Sequence, residues 1–183
     1  QNEAIDVIDI CTPTYLHKQH ALESLKYGKH VIIEKPMALN KKDAQEIFAL
    51  AMEKNCLLYV AQVVQFTNEV AVLRRLVESR EYGKPLDGYF SRLTGRPKWI
   101  KNDWLFNEDK SGVIPFDLHV HDLDLMVSLF GKPRSFTYTS SGRDDVSYRE
   151  MYRVNYSFEG FDITAEAAWY NAPLRPDPAA QCQ

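Results

Sequence analysis

IDVIDICTPTYLHKQHALESLKYGKHVIIEKP, residues 5–36, sets two short β-branched runs on either side of one helical pattern. Ile5 to Ile10 stops at Cys11-Thr12-Pro13, as a buried parallel strand running into a loop does. From about Tyr15 to Tyr27, the residues Leu16, Ala21, Leu22 and Leu25 recur at helical spacing, and Gly28 stands where a left-handed cap would close the helix. A second run, His30 to Ile33, leads into Glu34-Lys35-Pro36.

Working outward, Asn40 is placed to cap a helix over about Lys41 to Lys54, with Ala44, Ile47, Phe48 and Ala51 on its inner face, and Leu57 to Val64 reads as a further strand. Strand, helix, strand, helix, strand at this spacing predicts an α/β domain over residues 1–65: the C-terminal half of a Rossmann-like doubly wound parallel sheet with right-handed crossovers. Beyond Gln65 the pattern changes. A helix (about Asn68 to Ser79), a turn at Gly83-Lys84-Pro85, a strand (about Leu86 to Thr94), a loop rich in Trp, Asn and Asp, and a long apolar helix (about Gly112 to Phe130) come first. Three strands follow, Ser135 to Ser140, Tyr148 to Phe158 and Phe161 to Tyr170, the last two turning at Glu159-Gly160. Residues 66–183 are therefore expected to form an α+β domain with a mostly antiparallel sheet. The tail from Asn171, with three prolines, predicts irregular chain.

Composition excludes several classes. With 22 basic and 25 acidic residues and no basic run, nucleic acid is not an expected partner. The three cysteines, Cys11, Cys56 and Cys182, form no Cys-x-x-Cys pair, which points away from a disulfide framework and a structural zinc and toward the reducing cytoplasm. The longest apolar stretch, around Leu57 to Val64, falls well short of the roughly 20 residues that cross a bilayer, and no leader opens the chain, so no membrane association is expected.

Two constellations carry chemistry. Glu34-Lys35-Pro36 sits at the carboxyl end of a parallel strand, where open α/β sheets place their ligand crevice; the plainer reading is a surface turn with a solvated lysine. In the long helix, a spacing of 100° per residue puts Asp117, His121, Asp124 and Ser128 on one stripe, walled by Val120, Leu123 and Val127 on one side and by Leu118, Leu125 and Leu129 on the other. Buried carboxylates and imidazoles persist when paired or functional. His121 is placed to accept a proton, with Asp117 one turn away to orient it; the alternative is an Asp-His pair that braces two elements. Asp117-x-His119-x-His121 also matches the opening of a metal-dependent hydrolase site, but no further His follows, and His119 points roughly opposite His121 on a helix. His17 and His20 stand at the start of the first helix. Trp99 and Trp104 are either sugar-stacking groups or loop anchors.

Taken together, Asp6-Val7-Ile8-Asp9-Ile10-Cys11-Thr12-Pro13-Thr14-x-x-His17, Gly28-Lys29-His30-Val31-x-x-Glu34-Lys35-Pro36 and Asp117-x-x-x-His121-x-x-Asp124 closely resemble the glucose-fructose oxidoreductase, inositol dehydrogenase and MocA (Gfo/Idh/MocA) family. The resemblance implies hydride transfer between NAD or NADP and the carbinol carbon of a sugar, a polyol or a related hydroxy compound. It implies Lys35, Asp117 and His121 as the catalytic group, and Thr12, Pro13, His17, Glu34, Lys35 and Pro36 along the cofactor. It also implies homo-oligomers formed through the antiparallel sheet. The competing expectation within the family is a non-catalytic relative used for ligand sensing or assembly. Two departures stand out: the family's glycine-rich lead into the catalytic helix reads Ser111-Gly112-Val113, and the aromatic-basic pair reads Gln65-Phe66. The family's first strand, its G-x-G-x-x-G turn and the residue that reads the adenosine ribose are not matched, nor is the sheet that follows Trp169. The expectation is an inactive fragment that binds NAD(P) poorly and either associates with itself or rebuilds the missing pairing with another chain at its uncovered edge.

Overall fold

Ile8 and Ile10 alternate with Val7 and Asp9, so one face of the first strand is apolar and packs while the other does not. The computed structural model describes residues 4–171, divided into two units: residues 4–63 with 103–112, and residues 64–102 with 113–171.

In the first unit β1 (Val7–Ile10), β2 (His30–Glu34) and β3 (Leu58–Ala61) form a parallel sheet in the order β1-β2-β3, with Ile10 opposite Ile33 and Glu34 opposite Ala61. Helices α1 (His17–Lys26) and α2 (Lys41–Glu53) make the crossovers. Both lie on one face, where Ala21, Leu25, Ile47 and Ala51 close over Ile10, Val31 and Ile33. The local signals hold in detail. Asn40 Oδ1 accepts from Asp43 N at 2.9 Å and so caps α2, and Gly28 adopts φ 69° just after α1.

The expected second domain loses one stretch to this unit. Residues 103–112 form a short 3₁₀ turn, Trp104–Phe106, and the one-turn α4 (Glu108–Ser111). Leu105 is buried, the Trp104 ring meets Tyr15 edge-on at 6.3 Å, and Lys110 Nζ lies 5.6 Å over the same Tyr15 ring. Trp104 is therefore a loop anchor, while Trp99 stays 78% exposed.

The second unit holds helix α3 (Asn68–Ser79), the strands β4 (Asp87–Gly95), β5 (Ser135–Ser141), β6 (Met151–Ser157) and β7 (Asp162–Tyr170), and helix α5 (Val120–Phe130). The sheet order is β4-β7-β6-β5. β5, β6 and β7 are antiparallel neighbours, whereas β4 pairs with β7 in parallel, so the mostly antiparallel sheet is a mixed one. Val154, Tyr156, Ile163 and Ala165 pack with Met126 of α5. The approach is close enough at Gly88 that a Cβ there would stand 2.9 Å from Ile163 Cγ1. No helix among the described residues is long and apolar enough to cross a membrane.

Candidate active site

β1 and β2 run parallel and in register, so their carboxyl ends stand side by side and the loops Cys11-Thr12-Pro13 and Glu34-Lys35-Pro36 emerge along one edge of the sheet. Thr12, Pro13, Glu34 and Lys35 are half-buried, and Pro36 is buried after a cis Lys35–Pro36 bond. The Lys35 amide donates to Glu34 Oε2 at 3.3 Å, and Thr12 Oγ1 lies 3.2 Å from His20 Nδ1. Cys11 Sγ donates to Asp9 Oδ1 at 3.5 Å, and that bond raises the thiol's pKa above its ordinary value. His17 departs from the expected lining of the site. Its ring is 1% exposed, with Nδ1 2.8 Å from Pro36 O and Nε2 2.9 Å from Thr12 O, which leaves no polar atom of the ring for a ligand.

Asp117 and His121 belong to the second unit. The long helix expected over 112–130 is not uniform. Gly112 (φ 69°) ends α4, Val113 follows at φ 44°, and Pro115–His119 winds as a wide π turn before α5 begins. Pro115 has no N–H to give to the preceding turn, which favours such local rewinding. Val113 is a β-branched residue at positive φ, which stores strain directly ahead of the turn that bears Asp117. Asp117 lies within the π turn and His121 on the first turn of α5, both half-buried.

The remainder of the predicted stripe has structural work. Gln65 Nε2 donates to Asp124 Oδ2 at 2.5 Å, and Arg74 Nη2 donates to Gln65 Oε1 at 2.7 Å and to Ser128 Oγ at 2.9 Å, which ties α3 to α5. His119 Nε2 stands 2.7 Å from the Tyr156 hydroxyl, and the two rings stack. Burial holds the His119 imidazole below its ordinary pKa and pushes the Tyr156 hydroxyl up to about 12, so both are neutral near pH 7. His119 is thus committed to β6 and does not converge with Asp117 and His121 on a metal. No group of three or more metal-ligating side chains occurs among the described residues.

Sequence reasoning missed one pair, Arg92 on β4 and Asp122 on α5. Arg92 Nε and Nη2 donate to Asp122 Oδ2 and Oδ1 at 3.0 and 2.6 Å, and Asp122 is 3% exposed. The signal was present: at 100° per residue Asp122 falls on the line of Leu118, Leu125 and Leu129, and a carboxylate on an apolar line requires a cation.

Residues 1–62 match the sequence family described as "Oxidoreductase family, NAD-binding Rossmann fold", and residues 70–180 match the GFO/IDH/MocA C-terminal domain. Among curated relatives, biliverdin reductase A of Mus musculus is 31% identical over 82% of this chain and 47% of its own. A scyllo-inositol 2-dehydrogenase (NADP(+)) of Bacillus subtilis is 28% identical over 73% and 37%. The 2,7-anhydro-N-acetylneuraminate hydratase of Escherichia coli is 28% identical over 72% and 35%. This chain thus spans less than half the length of each of them. A solved levoglucosan dehydrogenase in complex with NADH and levoglucosan has the same fold, with a TM-score of 0.85 at 24% identity over 97% of this chain and 51% of that one.

Proposed function

Because the chain belongs to the Gfo/Idh/MocA family of oxidoreductases, we propose that it carries the catalytic groups of a nicotinamide-dependent dehydrogenase acting on a sugar, a polyol or a related hydroxy compound. The observation that carries this reading is the in-register pair of strand ends, which sets Thr12-Pro13 beside Glu34-Lys35-Pro36 at the edge where parallel α/β sheets take their ligands.

These residues fit the nicotinamide end of NAD or NADP. The Thr12 hydroxyl and the Glu34 carboxylate suit ribose hydroxyls, and Pro13 and Pro36 offer apolar surface to the ring. When bound, the cofactor supplies the acceptor for a hydride from the carbinol carbon. Lys35 places an ammonium at the substrate oxygen and stabilises the charge that develops there. His121 takes the hydroxyl proton, and Asp117 holds its ring in the accepting orientation. Self-association is assigned to the sheet of the second unit, whose open face carries exposed Tyr89 and Leu93.

No G-x-G-x-x-G run occurs in the 183 residues. In a doubly wound fold the pyrophosphate is held by backbone N–H groups at a Gly-rich helix start. Contacts at the nicotinamide end alone forgo most of the binding energy that orients the reactive ring. The 183-residue polypeptide by itself is therefore expected to bind NADH and NADPH more weakly than micromolar and to turn over no substrate. A fluorescence titration decides this, and micromolar affinity with measurable dehydrogenase activity would refute it.

A further inference from the structure

We propose that His17 is a positioning residue for Lys35, clasping the two strand-end loops of the first unit together through their backbone carbonyls; this rests on the dehydrogenase reading above. The ring opens α1, is fully enclosed, and stands 2.8 Å from the carbonyl of Pro36 and 2.9 Å from that of Thr12. Thr12 lies in the loop after β1, and Pro36 follows Lys35 in the loop after β2. A carbonyl oxygen only accepts, so the ring N–H donates to one of the two carbonyls while the enclosed ring packs between both loops.

The choice of partners suits the task. Pro36 has no N–H, so its carbonyl is the one backbone group through which that residue can be hydrogen-bonded. α1 is itself fixed, since Ala21 and Leu25 are sealed in the core of the first unit. Through His17 the loop bearing Lys35 is therefore referred to a packed helix and to the loop bearing Thr12. A phenylalanine fills the same space with no donor, and a glutamine amide restores a donor without the ring. Displacing a catalytic group by about an ångström can cost on the order of 100-fold in rate.

The test is a double-mutant cycle in the holoenzyme, meaning the full-length enzyme that carries this segment with its nicotinamide cofactor bound, joined to ¹⁵N NMR of the histidine rings. His17→Phe is expected to lower kcat about 10- to 100-fold, with the substrate KM little changed, and His17→Gln to fall between it and the parent. Combined with Lys35→Met, His17→Phe should add no further loss, because a residue that acts through Lys35 has nothing left to position. The NMR spectrum of the unmutated protein should show a His17 ring N–H shielded from exchange with solvent, a reading that needs no activity and no variant that folds. Losses that add in the double variant, an unchanged kcat in a folded His17→Phe, or a His17 ring N–H that exchanges as freely as an exposed one would each overturn the proposal. A Lys35→Met holoenzyme with full turnover would instead overturn the dehydrogenase reading, and the positioning role with it.

Discussion

Replacing Lys35 with Met is expected to lower turnover of the holoenzyme at least ~100-fold while leaving its thermal unfolding unchanged, a loss of about 2.7 kcal/mol of transition-state stabilisation. Lys35 follows the last residue of β2, at the sheet edge it shares with the loop after β1. As the hydroxyl proton leaves, negative charge collects on the substrate oxygen, and an ammonium fixed beside it acts mainly in the transition state. Methionine keeps the length of the side chain and removes the charge. Both kcat and kcat/KM should then fall together, because an interaction made chiefly in the transition state has been lost. Steady-state kinetics with calorimetric melting of both proteins checks this. Near-parental turnover in a folded Lys35→Met would end the assignment.

Asp122→Ala is expected to destabilise the second unit by about 3–5 kcal/mol. The carboxylate is sealed on the apolar side of α5 and accepts from Nε and Nη2 of the Arg92 guanidinium, whose own side chain is only 29% exposed. Truncating one partner leaves the other charge enclosed without its counterion, which costs far more than losing a surface pair. Asp122→Ala with Arg92→Met, which removes both charges, should recover part of that loss. Denaturant unfolding measures the three variants. A single mutant as stable as the parent would show that the pair is solvated rather than structural.

The elements read from local signals were legible to within a few residues, because caps and periodicity are written in adjacent side chains. Asn68–Ser79 is helical as expected, and Asn40 caps α2. What escaped depends on partners distant in sequence. The parallel pairing of β4 with β7 is set by how the sheet closes, and no residue of Asp87–Gly95 announces it. The return of residues 103–112 to the first unit follows from Trp104 and Lys110 meeting Tyr15, which lies far back in the sequence. The spacing puts Asp117, His121, Asp124 and Ser128 on one stripe and gives chemistry to the first two; that Asp124 and Ser128 are tied to Gln65 and Arg74 depends on residues far back in the sequence. The π turn over Pro115–His119 also broke the uniform 100° spacing that the reading assumed.

Hydride transfer itself is best tested by isotope. The holoenzyme, with oxidised NAD or NADP, is given inositols, aldoses and anhydrosugars deuterated at each carbinol carbon in turn, and the reduced nicotinamide is examined by mass spectrometry. The account predicts that, for at least one labelled position, reduced cofactor accumulates carrying one deuterium for each molecule of carbonyl product, and that Lys35→Met and His121→Ala suppress this transfer. Product formed with no net reduced nicotinamide, or reduced nicotinamide free of deuterium whichever carbon is labelled, would contradict it.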